Sequence, residues 1–218
     1  MPHTSQYSFV GALRLFSLAV ALIACSLGIL LGWDAANPRP DLALSLLVGG
    51  LFAQAGMNLI NDVEDLTQIP AGSLSQKTRQ KIQRNKHLGW LAFAIAALVG
   101  VYLISMRGWP LLGILLVSAF LALNYNAGPL NFKHRGIAIV QVFILMGLVM
   151  VQASYYVMSG HFSMQVVCLS LPISLLVSLL LLSNEIRDYE DDTQDRVRTF
   201  STRIGLAHAQ QLYWLLLF

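Results

Sequence analysis

Charge is what this chain has least of. Asp, Glu, Lys and Arg together make up 11% of its 218 residues, against about 25% in a soluble domain. Hydrophobic residues make up 56%, and the mean hydropathy is +0.63. That balance excludes an ordinary soluble domain and describes a membrane protein. Cysteine is nearly absent as well. Cys25 and Cys168 lie far apart in apolar runs, with no CxxC and no Cys/His spacing, which excludes a disulfide framework and a zinc site. The histidines (His3, His87, His134, His161 and His208) are scattered, with no two at ligand spacing. No basic stripe is interleaved with exposed aromatics, so nucleic acid is not an expected partner. Nothing in the sequence points to a protein partner.

What the chain does have is apolar runs of about 20 residues, the length that crosses a bilayer. Six are expected as spans, over 12–33, 42–60, 88–106, 109–124, 136–158 and 164–183. Leu22-Ile23-Ala24-Cys25 has the form of a lipoprotein cleavage box, but the run continues to Trp33, so it reads as part of the first span. A seventh run starts near 208 and stops at Phe218, inside LYWLLLF. The expected fold class is therefore all-α: a polytopic membrane helix bundle with six full transmembrane helices plus the start of a seventh. It would form a single domain over 1–218, incomplete at its C-terminal end, with a short interfacial helix as the alternative for the last run.

Lys and Arg orient these spans. Lys77, Arg79, Lys81, Arg84 and Lys86 fall in one loop, Lys133 and Arg135 in another, and Arg187, Arg196, Arg198 and Arg203 after the sixth span. With Arg14 they lie on one side, and only Arg39 and Arg107 lie on the other. The positive-inside rule then puts the N-terminus and the three basic loops in the cytoplasm. The basic loop 77–86 is expected to meet anionic lipid headgroups.

The acids are fewer and more concentrated. Nine of the eleven Asp and Glu residues fall in two clusters, Asp62/Glu64/Asp65 and Glu185/Asp188/Glu190/Asp191/Asp192/Asp195. Each directly follows a span that exits on the basic side. Asn61 and Asp65 read N-x-x-x-D, and so do Asn184 and Asp188. Residues four apart share a helix face. Asn58, Asn61, Asp62 and Asp65 thus form one polar stripe, and Asn184, Asp188 and Asp192 form another. Like charges this close raise one another's pKa unless a cation neutralises them. Mg2+ suits that task, because it prefers carboxylate oxygen, keeps several waters and is completed by substrate phosphates. Two facing acidic tips with Lys and Arg beside them suit a magnesium–diphosphate group. The plainer alternative is a set of solvated loop charges.

At this point the residues resemble a known family. Asn61-Asp62-Val63-Glu64-Asp65 is similar to the N-D-x-x-D motif of the UbiA superfamily of intramembrane prenyltransferases, and Asp188 to Asp192 resembles its D-x-x-x-D motif. NEIRDYEDD followed by RTFSTRIG resembles the branch that prenylates 1,4-dihydroxy-2-naphthoate in menaquinone synthesis. Tyr125-Asn126-Ala127-Gly128-Pro129 with Lys133, Arg135 and Gly136 is similar to that branch's Y-x-x-G-P … R-G loop, and Pro70 to Ser75 to its P-x-G-x-(I/L)-S turn. The chain departs from the pattern at Ile69, where a third Asp is common, at Thr67-Gln68, and at Arg196-Val197 in place of Gly-Lys. The family usually has nine spans.

The resemblance implies an integral, multi-pass protein, expected in a bacterial inner membrane, with its active site on the cytoplasmic side. It implies Mg2+ held by Asp62, Asp65, Asp188 and Asp192, gripping the diphosphate of a polyprenyl donor. Asn58, Asn61, Tyr125 and Asn184 would line the substrate site, and Lys133, Arg187 and Arg198 would meet the diphosphate. An aromatic quinone precursor, foremost 1,4-dihydroxy-2-naphthoate, would attack the allylic carbon, and the lipid bilayer would supply the setting. The rivals are another aromatic acceptor such as 4-hydroxybenzoate, a membrane transporter, and an inactive truncated homologue. A CDP-alcohol phosphotransferase is disfavoured because its D-G-x-x-A-R signature is missing.

Overall fold

The computed structural model describes residues 7–63, 75–125, 130–194 and 197–218, and every described element is helical. The helices are α1 (Phe9–Leu13), α2 (Leu15–Leu31), α3 (Pro40–Asn61), α4 (Gln76–Arg107), α5 (Trp109–Leu123), α6 (Ala138–Val142), a π-helical segment π1 (Phe143–Val149), α7 (Met150–Ser159), α8 (Met164–Arg187), α9 (Tyr189–Gln194), α10 (Phe200–Ile204) and α11 (Leu206–Leu217). Among the described residues, five stretches are long and apolar enough to cross a membrane: α1–α2, α3, α4, α6–π1–α7 and α8. The chain is a multi-pass integral membrane protein.

The expected spans are all helical, with local differences. The first is broken at Arg14, whose φ of 49° is left-handed and ends α1 before α2 begins. The third does not start at 88. Ser75 caps its N-terminus by accepting from the Thr78 N–H, and the helix runs 32 residues, about 48 Å. The fourth, α5, has only 15 residues, about 22 Å against a hydrocarbon core of about 30 Å. The Gly108–Pro110 turn and Asn124 bound it. The fifth widens into π1, where Gly147 lies so close to Ser174 of α8 that a Cβ at 147 would collide with it.

Small residues let the helices meet in lipid, where burial of apolar surface gives no drive toward association. Gly28 of α2 and Gly32, which caps its C-terminus, form a GxxxG pair, and a Cβ at each would fall 2.6 and 2.7 Å from the Cβ atoms of Ser154 and Met158 on α7, respectively. Gly56 of α3 and Gly89 of α4 face each other the same way. The main apolar cluster includes Ile29, Leu42, Leu103, Leu111 and Val157. It lies toward one end of the bundle, where Arg39 pairs with Asp41 and the Tyr102 hydroxyl donates to Asp41. There Arg107 also donates to the Met158 carbonyl, and Tyr156 donates back to the Arg107 carbonyl. The other end gathers Tyr7 and α1, the end of α3, the start of α4, residues 130–137 and α10. Cross-links there include Asn85 to the Tyr7 carbonyl (3.2 Å) and Arg203 to the His134 carbonyl (3.1 Å).

Candidate active site

The charged end is built from two helix exits. On the first, α3 ends at Asn61, and Asn58, Asn61 and Asp62 are all buried. Asn58 ties α3 to the broken first helix. Its Nδ2 donates to the Leu13 carbonyl and to Ser17 Oγ, both at 2.7 Å, and its Oδ1 accepts from Gln54. The helix break at Arg14 frees the Leu13 carbonyl for this bond. The same break turns the Arg14 guanidinium to the Asp62 carboxylate at 2.8 Å. Arg14 is absent from the residues expected at the site. It is a lone basic residue at the edge of an apolar run, and the nearest sequence signal was its place on the basic side. Asp65, like the turn 70–74, residues 126–129, Asp195 and Arg196, lies outside the described residues.

On the second exit, α8 ends at Arg187 and α9 follows after Asp188. The i to i−4 backbone bonds persist across the junction: the Asp188 N–H donates to the Asn184 carbonyl and the Asp192 N–H to the Asp188 carbonyl, each at 2.9 Å. Asn184, Asp188 and Asp192 therefore stack one turn apart, as their spacing predicts. Arg187 grips its neighbour Asp188 with two bonds of 2.7 and 2.8 Å at an exposed position. Glu185 turns inward. It is 6% exposed, and its Oε2 accepts from the Ser201 N–H (3.0 Å) and hydroxyl (3.2 Å). This anchors α10, which Thr199 caps by accepting from the Thr202 N–H. Arg198 is exposed, and its carbonyl accepts from Arg203.

Residues 124–125 and 130–137 follow α5 at this end, and the His134 carbonyl accepts from Arg203. The Phe132 and Lys133 N–H groups donate to the Asn124 and Tyr125 carbonyls at 3.0 and 2.8 Å. Gly136 holds φ at +71°, and a Cβ there would strike the Arg203 side chain. The left-handed backbone favours glycine here, and any Cβ would also force the Arg203 side chain to shift. Burial pushes the Tyr125 hydroxyl up to about 12; the charge of Arg14 opposes the rise and the charges of Glu185 and Asp192 add to it. Lys133 in turn lies within the field of Glu185. Tyr125 thus feels one group from the first exit and two from the second.

Among the described residues no three His, Cys, Asp or Glu side chains converge as a preformed metal site. The donors present are hard carboxylate oxygens from Asp62, Asp188 and Asp192, and Mg2+ takes one or two such ligands with the remainder from water and phosphate. The donor set fits that ion. Guanidinium groups neutralise Asp62 and Asp188 in the structure.

Known proteins resemble the chain over most of its length. The chain is 28% identical over 211 residues to a 1,4-dihydroxy-2-naphthoate octaprenyltransferase of Bacillus subtilis, covering 94% of this chain and 64% of that protein. It is 25% identical over 222 residues to UbiA prenyltransferase domain-containing protein 1 of Gallus gallus, covering 97% and 66%. With a 2-carboxy-1,4-naphthoquinone phytyltransferase of Synechocystis it shares 24% over 182 residues, covering 80% and 58%. The chain spans at most about two thirds of the length of these relatives. Residues 21–218 match the UbiA prenyltransferase family, and the chain belongs to it.

Proposed function

We propose that this protein transfers a polyprenyl group from an allylic diphosphate to an aromatic quinone precursor, with Mg2+ as cofactor and 1,4-dihydroxy-2-naphthoate as the acceptor. The observation that supports the proposal is the buried Asp62 at the end of α3, paired with Arg14, together with Asp188 and Asp192 stacked after α8 at the same end of the bundle. Both acidic motifs serve one end of the bundle, as a shared diphosphate requires. The similarity to the B. subtilis naphthoate octaprenyltransferase favours the acceptor.

Asp62, Asp188 and Asp192, with Asp65, would hold Mg2+, which supplies charge neutralisation of the leaving diphosphate. Arg14, Lys133, Arg187 and Arg198 are the cations at hand for its oxygens, in the geometry of charge-assisted hydrogen bonds. The allylic C–O bond breaks with its electron pair leaving on diphosphate, and charge placed in advance around that anion lowers the barrier. An electron-rich ring carbon forms the new C–C bond and a proton is lost. Tyr125 stays a neutral phenol throughout and can donate to an anionic oxygen. The apolar spans exclude water that would capture the allylic cation. An apolar groove of about 360 Å³ between α2 and α8, lined by Val20, Ile23, Leu27, Ile173 and Leu176, offers the isoprenoid tail a path along the spans. The positive-inside bias supports a cytoplasmic face for this end of the bundle, with a bacterial inner membrane as the proposed setting.

The test incubates membranes holding the protein with labelled polyprenyl diphosphate and dihydroxynaphthoate, with and without EDTA. The expected result is labelled quinone precursor that disappears on chelation. Product unchanged in EDTA refutes the metal role, and ion-coupled solute flux with no prenyl product refutes the transferase reading. Asp188→Asn is expected to lower the rate at least a hundredfold, about 2.7 kcal/mol; a near-normal rate removes Asp188 from the site.

A further inference from the structure

Gln141 is buried in the last turn of α6, 8% exposed. Its Nε2 donates to the Leu121 carbonyl at 2.7 Å. So short a contact with a carbonyl oxygen fixes which amide atom is nitrogen. The Nε2 group therefore has a structural task, because Leu121 is one of the last-turn carbonyls of α5 that the helix itself leaves unpaired. The carboxamide oxygen has none. Oε1 is buried and accepts no hydrogen bond among the described residues. At the depth of the spans there is no bulk water to satisfy it, and a buried acceptor without a donor is costly.

The amide sits next to the proposed site. Leu121 is four residues, one helical turn, before Tyr125. Two residues before Gln141, the Ile139 carbonyl accepts from Ser178 Oγ on α8, and Glu185 lies two turns further along that helix. Gln141 is thus placed where α5, α6 and α8 meet, on the membrane side of the charged cluster. The helix widens into π1 directly after it, a distortion frequent at functional sites.

We infer that Gln141 Oε1 receives a hydroxyl of the aromatic co-substrate and so orients the ring beneath the diphosphate; the inference rests on the proposed prenyl transfer. The chemistry of the two substrates separates them. A polyprenyl diphosphate offers only acceptor oxygens and hydrocarbon, so it cannot complete a lone acceptor. A dihydroxylated ring carries O–H donors and an apolar body, and its carboxylate can stay toward the charged end. The allylic carbon hangs from the diphosphate toward the membrane, and a ring held by Gln141 meets it there.

The test measures equilibrium binding of 1,4-dihydroxy-2-naphthoate and of its two mono-O-methyl ethers to the detergent-solubilised full chain, by the ligand's own fluorescence. No turnover is needed. One ether is expected to bind about ten- to a hundredfold more weakly than the parent, the range for an unmet buried acceptor. Gln141→Leu and Gln141→Met should each erase that preference, and in the prenylation assay raise the acceptor KM while the donor KM stays within twofold. If the unaltered protein binds all three ligands equally, the inference is overturned whether or not the variants fold. It is also overturned if a folded Gln141→Leu or Gln141→Met protein keeps the preference, which would leave Oε1 to a water molecule. Absence of prenyl product with every acceptor, alongside intact hydroxyl preference, would count against the proposed reaction and not against this contact.

Discussion

Replacing Glu185 with Ala tests how the second acidic exit is assembled. In the structure one oxygen, Oε2, accepts both the Ser201 N–H at 3.0 Å and the Ser201 hydroxyl at 3.2 Å, and Ser201 is fully buried. Hydrogen bonds to a charged group contribute about 1.5–3 kcal/mol each, and stranding a buried donor costs about 1–3 kcal/mol. The Ser201 hydroxyl can rotate toward another acceptor, whereas its backbone N–H cannot. We therefore expect Glu185→Ala to destabilise the protein by about 3 kcal/mol. Glu185→Gln keeps an acceptor oxygen and loses only charge assistance, about 1 kcal/mol. Ser201→Ala, which removes one of the two bonds, should also cost about 1 kcal/mol. For a chain of this length 1 kcal/mol corresponds to about 2–4 °C in Tm, so the Ala variant should melt about 6–12 °C lower in detergent. A fluorimetric melt of the three variants and of the Glu185→Ala/Ser201→Ala double variant checks the ladder. The double variant should cost less than the two single effects summed, because they share a bond. A Glu185→Ala protein melting within 2 °C of the parent, or strict additivity in the double variant, would refute the anchoring argument.

Other outcomes are accessible. Gly136→Ala meets both a left-handed backbone at φ +71° and the Arg203 side chain; it should cost about 2 kcal/mol, and Gly136→Ala with Arg203→Ala should recover part of that Tm loss. The Tyr125 hydroxyl is pushed up from 10.0 to about 12. An unfolded Tyr125 ionises first, so its contribution to stability is whole below about pH 10 and is lost as pH rises toward 12. Ultraviolet titration should show Tyr125→Phe removing a late step near pH 12 and none near 10. On α4, Lys77, Lys81 and Arg84 are exposed at i, i+4 and i+7, while Thr78, Ile82 and Asn85 face the protein. Changing the three to Gln should lower retention of phosphatidylglycerol over phosphatidylcholine at least twofold in native mass spectrometry, and unchanged retention would count against a lipid-facing role.

Much of this was legible in the chain, because a membrane imposes length and polarity on each helix. The exits of α3 and α8, the gathering of basic loops at one end, and the one-turn stacking of Asn184, Asp188 and Asp192 all follow from spacing. The rest depends on contacts that no local pattern encodes. The break at Arg14 has no Pro or Gly to announce it; it is held by Asn58 and Asp62, 44 and 48 residues later. Asn58, expected to face substrate, spends its amide on that break. Arg187, expected at the diphosphate, clasps the adjacent Asp188 because its guanidinium matches that carboxylate in a two-bond fork. Glu185 reads like the other acids of its cluster, yet it turns inward because the buried Ser201 offers it two donors. The widening at π1 is written in the close approach of Gly147 to Ser174, a pair 27 residues apart.

The kinked first helix has a thermodynamic corollary. One carboxylate, that of Asp62, both clasps the joint through Arg14 and belongs to the motif assigned to the diphosphate. A cation that draws on the Asp62 oxygen held by Arg14 would compete with the guanidinium, and by linkage whatever tightens the joint would weaken that cation by the same factor. On the proposed reaction the N-terminal helix would then be coupled to occupancy, and a fluorophore placed near Ser8 is expected to register the arrival of substrate without touching it.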